Sequence, residues 1–295
     1  MVVNKFTGYD IRRQFIRGGY YLNRILYYLQ IIAVVLIILR CRTVIQERSR
    51  SDQRAETIKP IRTIFLSTEI QDFCRDGNNF LLLEQSGARI IAYDSEFTVA
   101  ETIPISISIL SPRGIYADRF YIYLYDEQTI YRLSRDSRLI QPLVHNVRVS
   151  GVIQYAPGEL LVSDKERKQV WLKTLFGESR GFLDRSDVKN PGALTLFSDG
   201  SYGLIANGER LVKFNRAGII TGDWKLSQSV DLLTSDFKDR VLLMRRGKSK
   251  LWVLSASLAE YSLHDVSNPV QIQCLGNRIF VLDNYRRIVV YPLPD

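Results

Sequence analysis

The sequence predicts an all-β protein, a six-bladed β-propeller closed by an N-terminal strand and preceded by one transmembrane helix. Three observations carry that expectation. A strand-rich pattern recurs six times at a spacing of about forty residues. One apolar run near the amino terminus is long enough to span a bilayer. The excess positive charge lies beside that run and not over the remaining chain.

The repeat is the strongest signal. Its first apolar runs are FLLLE from Phe80, FYIYLYD from Phe120, LLVSD from Leu160, YGLIAN from Tyr202, VLLMR from Val241 and IFVLD from Ile279. Their starts are 40, 40, 42, 39 and 38 residues apart. Second runs follow as RIIAYD from Arg89, TIYRLS from Thr129, QVWLKT from Gln169, RLVKFN from Arg210, KLWVLS from Lys250 and RIVVYP from Arg287. A short strand precedes each pair, as in IQDF at Ile70 or GVIQYA at Gly151, and a fourth follows most, as in VAETIPI at Val99. Four short strands per unit at this period define a propeller blade. Middle strands that are apolar on both faces fit sheets stacked face to face.

The sixth unit ends on its third strand just before Asp295, so its outer strand is expected from Glu56 to Leu66, ETIKPIRTIFL. The opening of that segment, Ala55 to Ile58, repeats the AETI of Ala100 to Ile103 and is therefore expected in the sixth sheet. Closing a ring in this way removes the exposed edge of an open array. Residues 56–295 are thus expected to form one domain.

Ahead of it, residues 1–20 form a basic leader, 21–39 a transmembrane helix and 40–55 a polar linker. Residues 25–39 read ILYYLQIIAVVLIIL, and nineteen helical residues from Tyr21 span roughly 28 Å. The aliphatic run after Gln30 leaves no polar face for solvent. Arg40, Cys41 and Arg42 follow it in place of a small-residue cleavage pattern, so the segment reads as an uncleaved anchor. Five basic residues flank each side, a tie by the positive-inside count. A short basic leader before an apolar run is the usual form of a signal anchor, which places the body outside the cytoplasm, periplasmic or extracellular.

The chain carries +9, from 40 Lys plus Arg and 31 Asp plus Glu. Residues 1–55 contain 10 basic and 3 acidic side chains, leaving 30 and 28 for the other 240 positions. A body at +2 lacks the broad basic face of a phosphate-driven binder, which disfavours nucleic acid as a partner. Apolar content of 46% excludes a disordered chain, and 3 Cys exclude a disulfide scaffold.

Asn277 to Tyr291, NRIFVLDNYRRIVVY, resembles an NHL-type repeat, in which a strand ending in Asp and a short turn lead to a strand opening on Arg and aliphatic residues. Asn79 to Asp94 and Glu159 to Leu172 follow the pattern more loosely. The resemblance implies a ring of six blades. Proteins of this kind include extracytoplasmic binding modules, lactonase-like and lyase-like enzymes, and cytoplasmic RNA-binding domains, so it specifies fold far more than function.

No catalytic, cofactor-binding or metal residue is assigned from the sequence. The strand-end acids Glu84, Asp126, Asp164 and Asp283, with Asn207 at the same place, occur once per blade and are expected to tie down turn N–H groups. The fifth blade has Arg245 and Arg246 there, which points to an altered turn. The innermost strands offer Asp72, Arg113, Gln154, Asn190, Asp231, Asn268 and Gln271 to a central channel, a set poor in acids for a hard cation. His145 and His264 fall on outer strands or loops of different blades. Cys74 and Cys274 occupy matching positions in neighbouring blades. They are expected as two buried thiols, with a disulfide across the closure as the alternative in an oxidising compartment. Trp171 and Trp252 are expected in the core between blades. The function expected is a membrane-anchored binding or scaffolding module for a protein, peptide or glycan partner, without a cofactor. The alternative is a lactonase-like or lyase-like metal-dependent enzyme using the channel.

Overall fold

The structure is a computed structural model that describes residues 56–294, except 108, 110, 175–176, 184–187 and 256. The leader, the transmembrane helix expected at 21–39 and the linker lie outside the described residues. Among the described residues no helix is long and apolar enough to cross a membrane.

Two strands open the domain, β1 (Glu56–Ile58) and β2 (Arg62–Phe65). Blade 1 follows as β3 (Ile70–Asp76), β4 (Asn79–Glu84), β5 (Arg89–Tyr93) and β6 (Val99–Pro104). Blade 2 is β7 (Gly114–Ala117), β8 (Tyr121–Tyr125), β9 (Thr129–Ser134) and β10 (Ile140–His145). Blade 3 is β11 (Val149–Ala156), β12 (Glu159–Asp164), β13 (Gln169–Lys173) and β14 (Ser179–Leu183). Blade 4 is β15 (Pro191–Leu196), β16 (Tyr202–Ala206), β17 (Arg210–Phe214) and β18 (Ile220–Lys225). Blade 5 is β19 (Leu232–Ser235), β20 (Val241–Met244), β21 (Lys250–Leu254) and β22 (Leu258–Leu263). Blade 6 is β23 (Pro269–Leu275), β24 (Arg278–Asp283) and β25 (Arg287–Pro292). Each blade is an antiparallel meander, and the six-bladed propeller read from the sequence is the observed fold.

The middle strands explain the architecture. On β4, Phe80 and Leu82 join the apolar cluster shared with blade 6, whereas Leu81 and Leu83 join the one shared with blade 2. On β24, Ile279 and Val281 face blade 5, and Phe280 and Leu282 face blade 1. Successive side chains of a strand point to opposite faces, so a strand stacked on both sides must be apolar at every position. Six such clusters fill the six inter-blade spaces. Outer strands lose this constraint, and VAETIP in β6 buries only Ile103. Trp171 and Trp252 lie in the clusters between blades 2 and 3 and between blades 4 and 5, as expected.

Closure departs from the sequence expectation in one respect. β2 pairs antiparallel with β25 and supplies the fourth strand of blade 6. β1 instead adds to blade 5 as a fifth strand, parallel to β22, with Ile58 opposite Leu263. The AETI match identified an outer-strand sequence but not its sheet. Two residues before β2, Pro60 removes a ladder donor and separates the two strands. Ile58 is buried in the cluster between blades 5 and 6, so the leading segment grips both blades. The seam between blades 6 and 1 is aromatic, with the Phe80 ring 4.6 Å from Phe280 and 5.0 Å from Phe97.

Asp126 and Asp164 tie down turn N–H groups as expected, whereas among the described residues the carboxylates of Glu84 and Asp283 accept no backbone N–H from their own turns and hold an arginine instead. Asp126 accepts from Gln128 N at 2.8 Å and Thr129 N at 2.7 Å, and Asp164 from Glu166 N at 2.9 Å. Asp283, fully buried, accepts from Asn268 N at 2.6 Å and from Arg287 Nε and Nη2 at 2.8 and 2.6 Å. The Asp and Arg of the NHL-like pattern are therefore one ion pair across a hairpin. Arg89 repeats it with Glu84 at 2.8 Å. Asn207 differs, taking a left-handed φ of 57° while its N–H donates to Lys189 O at 3.1 Å.

Two substitutions test this account by urea unfolding. Leu82→Ala should cost about 2–5 kcal/mol by opening a cavity at the aromatic seam. Ser163→Ala should raise stability by about 1 kcal/mol, because the Ser163 hydroxyl is fully buried and has no hydrogen-bond partner among the described residues.

Candidate functional site at the channel mouth

The innermost strands β3, β7, β11, β15, β19 and β23 surround a channel that contains two consecutive cavities. The deeper holds about 700 Å³ and the upper about 540 Å³. Arg113, Tyr125, Ser150, Asp231 and Arg246 border both. Bulges at the start of the inner strands shape this region, leaving Gln71 unpaired in blade 1 and Ser150 in blade 3, and both reach a cavity wall.

At the floor of the mouth lies Asp72. One carboxylate oxygen accepts from Ile115 N of blade 2 at 2.9 Å, and the other from Gln271 Nε2 of blade 6 at 2.7 Å. Gln271 is itself fixed, since its Oε1 accepts from Ile272 N at 2.9 Å. Asp72 thereby stitches three blades together across the ring closure. Burial pushes its pKa up to about 6, opposed by the Ile115 and Gln271 hydrogen bonds and by the nearby Arg246 charge. The Tyr125 ring lies against Gly114, where an added Cβ would sit 2.1 Å from the phenol oxygen, so this ring position requires glycine. Burial raises the Tyr125 pKa, with the Asp72 charge adding to it.

Blade 5 departs from the turn pattern to supply Arg246. Its β20–β21 turn is held by Gly247 at φ 69° and by Lys248 N donating to Arg245 O at 3.1 Å, with no acid at its base. Arg246 N donates to Asp231 Oδ1 at 2.8 Å, which fixes the turn over the channel. Arg148 and Lys165 of blade 3 line the same upper cavity. Among the described residues, the side chains of Arg148, Lys165 and Arg246 make no hydrogen bond or ion pair. Arg113 pairs with Glu127, both exposed. The opposite end differs, since Arg135 is held by Asp76 at 2.8 and 2.9 Å and Arg240 by Asp236 at 2.7 Å.

Asp72, Arg113, Gln154, Asp231 and Gln271 therefore converge on the deep cavity, and Asn190 on the upper one. Asn268 does not join them, because it sits in the loop before β23 and its N–H serves Asp283. Tyr125, Ser150, Arg148 and Lys165 were not found from the sequence. Only Arg246 carried a signal, the missing acid in the fifth blade. Cys74 and Cys274 line the deep cavity as free thiols and are not joined. Burial pushes the Cys274 pKa up to about 12 and raises that of Cys74 as well, which suppresses thiolate chemistry. His145, 3.4 Å from Thr129, and His264, 3.2 Å from Asp265, are peripheral.

A divalent cation does not fit this donor set. Both Asp72 oxygens already accept N–H donors, Asp231 accepts a third, and Arg113 and Arg246 share the space. Among the described residues no three His, Cys, Asp or Glu side chains converge on a point.

Neither a family model nor a curated protein matches the sequence. Solved structures do match the fold. Virginiamycin B lyase from Staphylococcus aureus superimposes with a TM-score of 0.59 at 12% identity, over 79% of this chain and 99% of that one. A putative gluconolactonase gives 0.59 at 10% identity, over 81% and 93%. The calcium-binding protein regucalcin from Agrobacterium tumefaciens gives 0.59 at 9% identity, over 82% and 97%. At these identities the likeness establishes the propeller fold alone.

The Asp72 environment makes stability depend on pH. Its carboxyl titrates near 6 when folded against an ordinary value of 3.8, so between those values the folded chain holds more protons than the unfolded one. The Asp72 contribution therefore falls as pH rises from about 4 to 6 and stays unfavourable above. Asp72→Asn removes that titration and forfeits one acceptor at every pH. Relative to wild type, the variant should gain up to about 3 kcal/mol between pH 4 and pH 7 in urea unfolding. An unchanged difference between the two pH values would refute the buried-carboxyl assignment.

Proposed function

We propose that this chain is a membrane-tethered, NHL-like propeller that acts as a binding module. On this reading, residues 21–39 anchor it, the ring lies outside the cytoplasm, and the channel mouth receives a protein, peptide or glycan partner. One observation carries the reading: Asp72, buried in the channel, is fully engaged by fixed donors, while Arg148, Lys165 and Arg246 at the rim make no side-chain hydrogen bond or ion pair among the described residues. A catalytic acid or base must exchange protons with a substrate, and Asp72 is instead committed to holding blades 1, 2 and 6 together. Unpartnered guanidinium and ammonium groups on a concave surface are suited to recognition. The lactonase-like alternative needs a cation that the donor set does not accommodate.

A photo-crosslinking residue placed at position 165 of the full-length chain, in its own membrane, tests the mouth. An adduct of defined mass is expected there and not from position 219, exposed on the outer rim of blade 4. Equal adducts from both positions would remove the channel mouth from the reading. Protease added outside the sealed cell membrane should digest the propeller. Digestion only after permeabilisation would place it in the cytoplasm.

A further inference from the structure

We infer that the upper cavity is a site for an acidic peptide segment, whose carboxylates pair with Arg148, Lys165 and Arg246. This rests on the binding-module reading and names the chemistry of the partner.

The charge pattern is local. The body of the chain is nearly neutral, with 30 basic and 28 acidic side chains after position 55, so a general basic surface does not account for the cluster. Several arginines elsewhere on the ring are matched, as Arg89 is with Glu84, Arg138 with Glu101, Arg240 with Asp236 and Arg286 with Glu69, and what sets the mouth apart is the gathering of its basic side chains around one cavity. The upper cavity gathers Arg113, Arg148, Lys165 and Arg246 against Glu127 and Asp231. Glu127 is taken by Arg113, and one Asp231 oxygen by the Arg246 amide. Four basic against two acidic side chains leave a surplus of two positive charges, borne by Arg148 and Lys165 at blade 3 and by Arg246 of blade 5, the next blade but one. In a concave site with low-dielectric walls such a surplus attracts anions more strongly than the same charges on a flat surface.

The type of anion follows from the rest of the lining. Planar guanidinium groups pair with carboxylates through two parallel hydrogen bonds. Gln71, Asn190, Asn207 and Ser229 also line the cavity and offer donors and acceptors suited to a peptide backbone. Sugars and nucleic-acid bases are held by stacking on open aromatic faces. Among the described lining residues Tyr125 is the one aromatic side chain, and its ring already lies against Gly114. A cavity of about 540 Å³ is sized for a few side chains rather than a long polyanion.

Fluorescent hexaglutamate, with hexaglutamine as its neutral counterpart, tests the inference on the full-length chain by anisotropy titration. Hexaglutamate should bind at least about tenfold more tightly than hexaglutamine and lose most of that advantage between roughly 50 and 500 mM salt. Arg148→Gln and Arg246→Gln should each weaken it by about fivefold or more. Arg119→Gln, exposed on the turn before β8 at the other end of the ring, should leave it unchanged. Thermal unfolding of each variant confirms that the ring persists. Equal binding of the two peptides, or equal loss with Arg119→Gln, overturns the inference. Inorganic phosphate binding with this dependence on Arg148 and Arg246, while hexaglutamate does not bind, overturns the peptide assignment in favour of a free-anion site. If position 165 crosslinks a partner but hexaglutamate fails, the acidic assignment falls and the binding-module reading stands. If hexaglutamate binds as described but no adduct forms at the mouth, the acidic site stands and the membrane-partner reading falls.

Discussion

Burial of the middle strands on both faces is the constraint from which the rest of the molecule follows. A strand such as β4, with Phe80 and Leu82 on one side and Leu81 and Leu83 on the other, cannot end a stack without exposing one of those sets to water. Each blade therefore needs two neighbours, and a chain of such blades is stable only as a closed ring. The seam that closes the ring, between blades 6 and 1, contains the Phe73, Phe80, Phe97 and Phe280 rings. The hydrogen-bonded part of the closure lies within blade 6, where β2 joins the start of the domain to its final strand. The short parallel strand β1 then carries the same chain segment onto blade 5, so that unzipping β2 also requires extraction of Ile58.

A ring built this way leaves one place where polar side chains can point inward without being sealed between sheets. Inner strands have a channel at their edge, and there the chain carries Asp72, Gln154, Asp231 and Gln271. Close approach of the inner strands has its own demand. An added Cβ at Gly151 would meet Gly192 O at 2.8 Å, so blades 3 and 4 converge only because this position lacks a side chain. Asp72 is the polar counterpart of the aromatic seam, since its hydrogen bonds tie blade 6 to blade 1 and blade 1 to blade 2. The raised pKa of this carboxyl shows that the arrangement is held against the cost of burying charge.

Much of this was legible in the sequence because the constraint acts on every repeat. Six doubly apolar runs at even spacing fix the number of blades, and acids that follow them fix hairpins, as the Asp126 and Asp164 hydrogen bonds bear out. Elements under no repeated constraint were less legible. Glu56 to Ile58 has the composition of an outer strand, yet outer strands share no partner-specific pattern, so its sheet was misassigned. Asn268 lies close enough to β23 in sequence to be counted as channel-lining, but a turn acid one hairpin away claims its N–H. Arg148 and Lys165 sit in loops, where a basic residue is ordinary until the ring brings it to the same cavity as Arg246.

The surface to which we assign binding arises where the repeat is broken. Blade 5 keeps its apolar faces and its hairpin, but exchanges the turn acid for Arg245 and Arg246 and holds the turn with Gly247. A turn acid gathers nearby N–H groups and basic side chains, as Asp283 does with Arg287. Removing that acid releases a guanidinium and reverses the local charge with no cost to the stacked core. The same ring geometry that requires near-identical middle strands thus tolerates free variation at the turns above the channel. A closed propeller can acquire a charged mouth one turn at a time, while its stability remains in clusters that the changed turn does not touch.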